Sequence, residues 1–168
     1  TIAALELTGQ SAASIIGDSS DAGLADVIDL NSTVTGLTVK GAAGADSISV
    51  SGNSVSSFYA GGAGADSIGF LDALATDVIV RGGADADTVT LQELAATTAE
   101  VFGGAGADSI YVDAVTDDRD ATKTTFVGGS GADSITFSGA AITSGTTVGT
   151  FLFSALSDSN LAGGYDQV

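Results

Sequence analysis

Five segments of this chain are near copies of one another: KGAAGADSIS from Lys40, AGGAGADSIG from Ala60, RGGADADTVT from Arg81, FGGAGADSIY from Phe102 and VGGSGADSIT from Val127. Self-similarity at a near-constant period constrains architecture strongly, because every copy must build the same local structure. The aspartates Asp46, Asp66, Asp87, Asp108 and Asp133 follow one another at 20, 21, 21 and 25 residues. Glycines recurring in every period are incompatible with a continuous helix. A stack of short strands, each coil closed by a Gly-rich corner, accommodates them.

The residues around each Asp support strands. Two positions after it stand Ile48, Ile68, Val89, Ile110 and Ile135, and four after it Val50, Phe70, Leu91, Val112 and Phe137. Between them stand Ser49, Gly69, Thr90, Tyr111 and Thr136. This alternation is the period of a strand with one apolar face. Seven positions before the Asp come Val39, Tyr59, Val80, Val101 and Phe126, and nine before it Leu37, Ser57, Val78, Ala99 and Thr124. They predict a second, looser strand feeding the Gly-rich turn. Each repeat alone cannot bury its apolar face, so matching residues should stack into ladders inside a narrow solenoid.

The whole chain, 1–168, reads as one all-β solenoid domain with coils of about 20–25 residues and one Gly-rich edge. Coils 1–36 look degenerate, 37–137 regular, and 138–168 irregular. Asp26 and Asp166 sit in poorer copies of the motif and read as ordinary turn residues. The run 113–125 reads as a charged surface loop, and 145–156 as a wider coil or a separate strand pair. Phe58, Ile79, Phe102 and Val127 have the parity of outward positions, which hints at a contact surface or a covering loop. The chain opens at Thr1 without Met, as expected of a processed product or part of a longer protein.

Charge narrows the chemistry. The formal charge is −17, from 21 acids against Lys40, Arg81, Arg119 and Lys123. Such a chain repels nucleic acid and anionic membranes and attracts cations. No run is apolar and long enough to insert as a membrane helix, and no basic-then-apolar leader opens the sequence. Strong acidity with few aromatics can signal disorder. Here 44% of residues are hydrophobic and recur periodically, so disorder is expected only of the metal-free chain. With no Cys or His, disulfides, zinc-thiolate sites and the usual nucleophile–base pairs are excluded, and no enzyme is expected.

A Gly-rich turn aims several carbonyl oxygens at one place, and a carboxylate at its end completes a cluster of hard oxygen donors. Such a set selects calcium over zinc or copper. Strands stack about 4.8 Å apart, and two oxygens on opposite sides of one calcium span roughly 4.6–5.2 Å. Two carboxylates at ~5 Å repel by roughly 0.8 kcal/mol in water and about 3 kcal/mol at an effective dielectric of 20. A cation in each gap turns that repulsion into folding free energy. A plainer alternative is that each Asp caps N–H groups of its own turn.

The segments GGAGADSIG at 61–69, GGAGADSIY at 103–111 and GGSGADSIT at 128–136 resemble the G-G-x-G-x-D-x-U-x nonapeptides of RTX (haemolysin-type) calcium repeats. The resemblance implies a right-handed parallel β-roll binding several Ca2+ ions between coils. Its implied carboxylate ligands are Asp46, Asp66, Asp87, Asp108 and Asp133. Its implied turn carbonyls come from Gly41 to Gly44, Gly61 to Gly64, Gly82 to Asp85, Gly103 to Gly106 and Gly128 to Gly131. These stretches include Gly44, Gly62, Gly64, Gly83, Gly104, Gly106, Gly129 and Gly131, with Asp85 adding a carboxylate. Two departures stand out. The motif occurs once per coil instead of back to back, so one edge alone should carry metal. Ala42 replaces a glycine, and its turn is the least expected to hold.

The composition is similar to that of bacterial surface-layer proteins exported by type I secretion. The expected role is a calcium-stabilised extracellular or cell-surface structural protein, in a surface layer, filament or matrix, whose partners are further copies of itself. The alternative is a calcium-dependent adhesin or glycan-binding module, though the outward row from Ser49 to Thr136 is too irregular for a regular Thr lattice.

Overall fold

The computed structural model describes residues 13–17, 24–71, 73–92, 95–113, 124–138 and 150–152. In chain order their strands begin with β1 (Ser14–Ile16), β2 (Val27–Leu30), β3 (Val34–Thr35), β4 (Thr38–Ala43) and β5 (Ser47–Val50). There follow β6 (Ser54–Val55), β7 (Phe58–Ala63), β8 (Ser67–Leu71), β9 (Leu74–Ala84) and β10 (Thr88–Gln92). The last are β11 (Ala95–Ala105), β12 (Ser109–Asp113), β13 (Thr124–Ser130), β14 (Ser134–Ser138) and β15 (Thr150–Leu152). Among the described residues there is no helix, and so none long and apolar enough to cross a membrane.

Every strand pairing is parallel and joins consecutive coils, which makes the chain a β-solenoid. A nine-stranded sheet follows the order β1-β4-β7-β9-β11-β13-β15, with β3 and β6 beside that path. A six-stranded sheet runs β14-β12-β10-β8-β5-β2. The Gly-rich corner joins the two sheets in each coil. A further corner sits at Gly36, Ser56 and Asp77, whose φ values of 65°, 49° and 53° are left-handed.

The expected ladders form the core. Ile28, Ile48, Ile68, Val89, Ile110 and Ile135 stack in one buried column, and Leu30, Val50, Phe70, Leu91 and Val112 in the next. Facing them are Ile15, Val39, Tyr59, Val80, Val101 and Phe126. β-branched side chains suit these rows, since they pack well on a pleated surface. Full burial of each is worth about 1.5–3 kcal/mol, which is how a chain rich in glycine offsets its backbone entropy. One polar insert interrupts the core. Tyr59 packs edge-on to Phe70, with centroids 5.1 Å apart, and its hydroxyl meets Ser54 Oγ at 2.7 Å.

Three sequence expectations need correction or sharpening. The degenerate N-terminal coil is a true coil, since β2 pairs in register with β5. The corner at Ala42 holds: Ala42 adopts φ 91° and stays in register with Gly62. Within 145–156, β15 continues the nine-stranded sheet, with Phe126 opposite Phe151. Asp166 and most of the 113–125 loop lie outside the described residues.

Gly69 gives a direct test of this architecture. It lies on the outer face of β8 between Ser49 and Thr90, and a Cβ built on it would meet nothing within 4 Å. A Gly69→Thr variant is expected to gain about 0.5–1 kcal/mol. That corresponds to a rise of roughly 1–4 °C in melting temperature, and a lower value would contradict this placement.

Candidate functional site

Each motif Asp shares its parity with the core residues that follow it, so its side chain turns inward at the Gly-rich corner. Asp46, Asp66, Asp87, Asp108 and Asp133 are all buried and stand in one column along the stack. One oxygen of each is committed to the backbone of the coil before. Asp46 N–H donates to Asp66 Oδ1 at 2.7 Å and Asp66 N–H to Asp87 Oδ1 at 2.8 Å. Asp87 N–H donates to Asp108 Oδ1, and Asp108 N–H to Asp133 Oδ1, both at 2.9 Å. In the other direction the main-chain carbonyls of Asp46, Asp66 and Asp87 accept from Ser67, Thr88 and Ser109 N–H, each at 2.8 Å. The carboxylates therefore bridge coils, where the plainer alternative had them capping their own turns.

The column begins one coil earlier than the sequence indicated. Asp26, expected to be an ordinary turn residue, is 0% exposed, and its N–H donates to Asp46 Oδ1 at 2.7 Å. Asp85 stands apart. It takes the left-handed position of a corner glycine, at φ 76°, and is exposed outside the column.

The second carboxylate oxygen has a different environment. Oδ2 of Asp46, Asp66, Asp87 and Asp108 is buried without a hydrogen-bond partner. Each lies against the first glycine of its own corner. A Cβ at Gly41 or Gly61 would come within 2.3 Å of Oδ2 of Asp46 or Asp66, and one at Gly82 or Gly103 within 2.5 Å of Oδ2 of Asp87 or Asp108. Carbonyls of the next coil face the same cradle: Gly61 O would lie 2.6 Å from a Cβ at Gly41, and Gly103 O 2.5 Å from one at Gly82. Oxygen thus faces oxygen in a space that only glycine leaves open.

The remaining corner glycines serve the stack. Gly44, Gly62, Gly64, Gly83, Gly104, Gly106, Gly129 and Gly131 all have left-handed φ. The carbonyls of Gly62, Gly83 and Gly104 abut the backbone of the next coil, 2.0–2.1 Å from where a Cβ would stand on Gly83, Gly104 and Gly129. The carbonyls facing the Oδ2 cradle are those of the first glycines, Gly61, Gly103 and Gly128.

Electrostatics matches this geometry. Burial pushes the Asp66 carboxyl up to about 6; the bond from Asp46 N–H opposes the shift, and the charges of Asp46 and Asp85 add to it. Burial likewise pushes Asp87 up to about 7, against the bond from Asp66 N–H and helped by Asp66, Asp108 and Asp85. Asp108 is raised by burial too. The interior resists holding these groups as bare anions.

A hard cation fits this donor set. The coils of Asp46, Asp66, Asp87 and Asp108 each offer one carboxylate oxygen without a hydrogen-bond partner beside main-chain carbonyls, with no nitrogen or sulfur ligand. Among the described residues no three acidic side chains converge on one point, so such an ion would rely on one or two carboxylates and the backbone. Comparison with protein families, curated proteins and solved structures returned no match.

Sequence reasoning missed Asp26 and the cradle role of Gly41, Gly61, Gly82, Gly103 and Gly128. A signal existed. That first corner position is glycine in all five copies, whereas the second becomes Ala42 once and the fourth Asp85 once.

Proposed function

We propose that this chain is a calcium-stabilised structural module of an extracellular assembly, in which cations beside the Asp column make a self-repelling solenoid stable. The observation that carries this reading is the set of buried Oδ2 atoms on Asp46, Asp66, Asp87 and Asp108 that lack a hydrogen-bond partner. Buried anions without compensation are costly, and a cation or a proton removes the cost. The repeats' resemblance to RTX calcium motifs supports calcium over other hard ions. Millimolar calcium, as outside cells, suits sites of one or two carboxylates. Residues of the column hold and space the charge; bound calcium would neutralise it.

Circular dichroism in chelator and in millimolar calcium tests the reading. The expected result is a coil-like spectrum in chelator and strand in calcium, with a midpoint shifted upward in an Asp66→Ala, Asp108→Ala double variant. Equal strand content in both conditions would sink a structural role for the metal.

One observation favours a second reading, an adhesive or glycan-binding module. The outer face of the six-stranded sheet carries Ser47, Ser67, Thr88, Ser109 and Ser134 in register, beside Ser49, Thr90 and Thr136. Dispersed monomers that bind a polysaccharide would favour that reading over assembly.

A further inference from the structure

The outer face of the nine-stranded sheet differs from the rest of the described surface. Two outward columns run up it: Thr38, Phe58, Ile79, Glu100 and Thr125, and beside them Ile16, Lys40, Ala60, Arg81, Phe102 and Val127. Both cations among the described residues, Lys40 and Arg81, stand in the second column and are exposed. The Arg81 guanidinium lies over two rings, 5.6 Å from the centroid of Phe58 and 5.4 Å from that of Phe102. Phe58, Ile79, Phe102 and Val127 are half-buried, and Ile16 is 55% exposed. Glu100 is the one acid in these columns, is exposed, and lies on the strand next to Arg81. These two columns therefore carry a net charge near +1 on a chain whose formal charge is −17.

We propose that this face is a self-complementary contact between two copies of the chain, with Arg81 of each copy set against Glu100 of the other and the apolar residues between them. Copies of so acidic a chain repel one another on most approaches. They meet without that penalty where cations are concentrated. A two-fold axis between neighbouring positions of opposite charge pairs both at once, as an isologous interface requires. Stacking on Phe58 and Phe102 holds the guanidinium in place, which lowers the entropy lost when it pairs. Six strands at about 4.8 Å span only about 24 Å of height. Such a strip falls short of the ~800 Å² per partner of a stable dimer, so the contact is weak alone and gains strength by repetition in an assembly.

The proposal rests on the assembly part of the functional reading and not on calcium. Sedimentation velocity over a concentration series in calcium, with circular dichroism on each sample, tests it. Relative to the unaltered chain, R81E and E100R are each expected to weaken self-association about tenfold or more, since each sets like charges face to face. The R81E/E100R double variant restores opposite charges and is expected to recover most of the association. If R81E loses strand content, E100R at its exposed position carries the comparison by itself. A chain that stays monomeric at every concentration overturns the proposal, as do single variants that associate normally or a double variant as weak as the singles. Strand content that ignores calcium would instead strike the functional reading and leave this contact standing.

Discussion

Gly61→Ala is expected to lower the melting temperature by roughly 6–12 °C, a loss of about 3 kcal/mol. Gly61 is buried and does not have left-handed φ, so an alanine meets no backbone strain there. The conflict is with one side chain. A Cβ at Gly61 would lie 2.3 Å from Asp66 Oδ2, 2.6 Å from its Cβ and 2.7 Å from its Cγ. Asp66 cannot simply turn away, because its Oδ1 accepts the Asp46 N–H at 2.7 Å inside the core. Moving it leaves that N–H unsatisfied, at a cost of about 1–3 kcal/mol, and overpacking adds to this. Thermal melts in calcium, with Gly69→Thr as the open-site control, make the measurement. A Gly61→Ala melt close to that of the unaltered chain would mean that the carboxylate is not wedged against the glycine.

The period, the Asp column and the core ladders were legible in the sequence, because parity and spacing act on every coil alike. Ile48 to Ile135 and Val50 to Val112 fall where alternation from each Asp puts them. Asp26 was harder to read. Gly17, which a Cβ would bring within 2.4 Å of Asp26 Oδ2, stands nine residues before it, while Gly61 stands five before Asp66. That insertion hides the motif although the 20-residue step to Asp46 is intact. The partner of Oδ1 was not legible either. Spacing shows that the carboxylates stack, but not that each turns toward the N–H of the preceding coil. Arg81 lies over rings one coil to either side; Phe102 is its direct register partner, whereas Phe58 stands two residues before its partner Ala60, a diagonal relation that appears only once strand register is fixed. The outward parity of Phe58 and Phe102 was readable; the cation covering them was not.

Asp87→Asn is expected to change stability with opposite sign in chelator and in calcium at pH 8. Asparagine keeps the shape of the side chain and an oxygen for the Asp66 N–H, and it removes the charge. In chelator the folded chain must hold an ionised Asp87 whose carboxyl is pushed up to about 7, while the unfolded chain holds it at the ordinary 3.8. The folded state binds the proton more tightly, so its stability is greatest below about 3.8 and is lost as pH rises through about 7. At pH 8 the rise from 3.8 to about 7 corresponds to about 4 kcal/mol, which solvent screening reduces to roughly 2 kcal/mol for this group, and Asp87→Asn escapes it. The variant should therefore hold more strand in chelator than the unaltered chain, which is coil-like there. Its advantage should shrink as pH falls from 8 toward 4, where the unaltered chain regains its proton. In calcium, on the proposed reading, the ion takes the place of the proton, and the variant would lack a charged ligand for it. It should melt lower and need more calcium to fold. Strand content in chelator and melting curves in calcium, each at pH 5 and pH 8, separate the possibilities. Stabilisation in both conditions would make the column a neutral-side-chain ladder that calcium does not serve, and destabilisation in both would mean that the buried charge is already compensated within the chain.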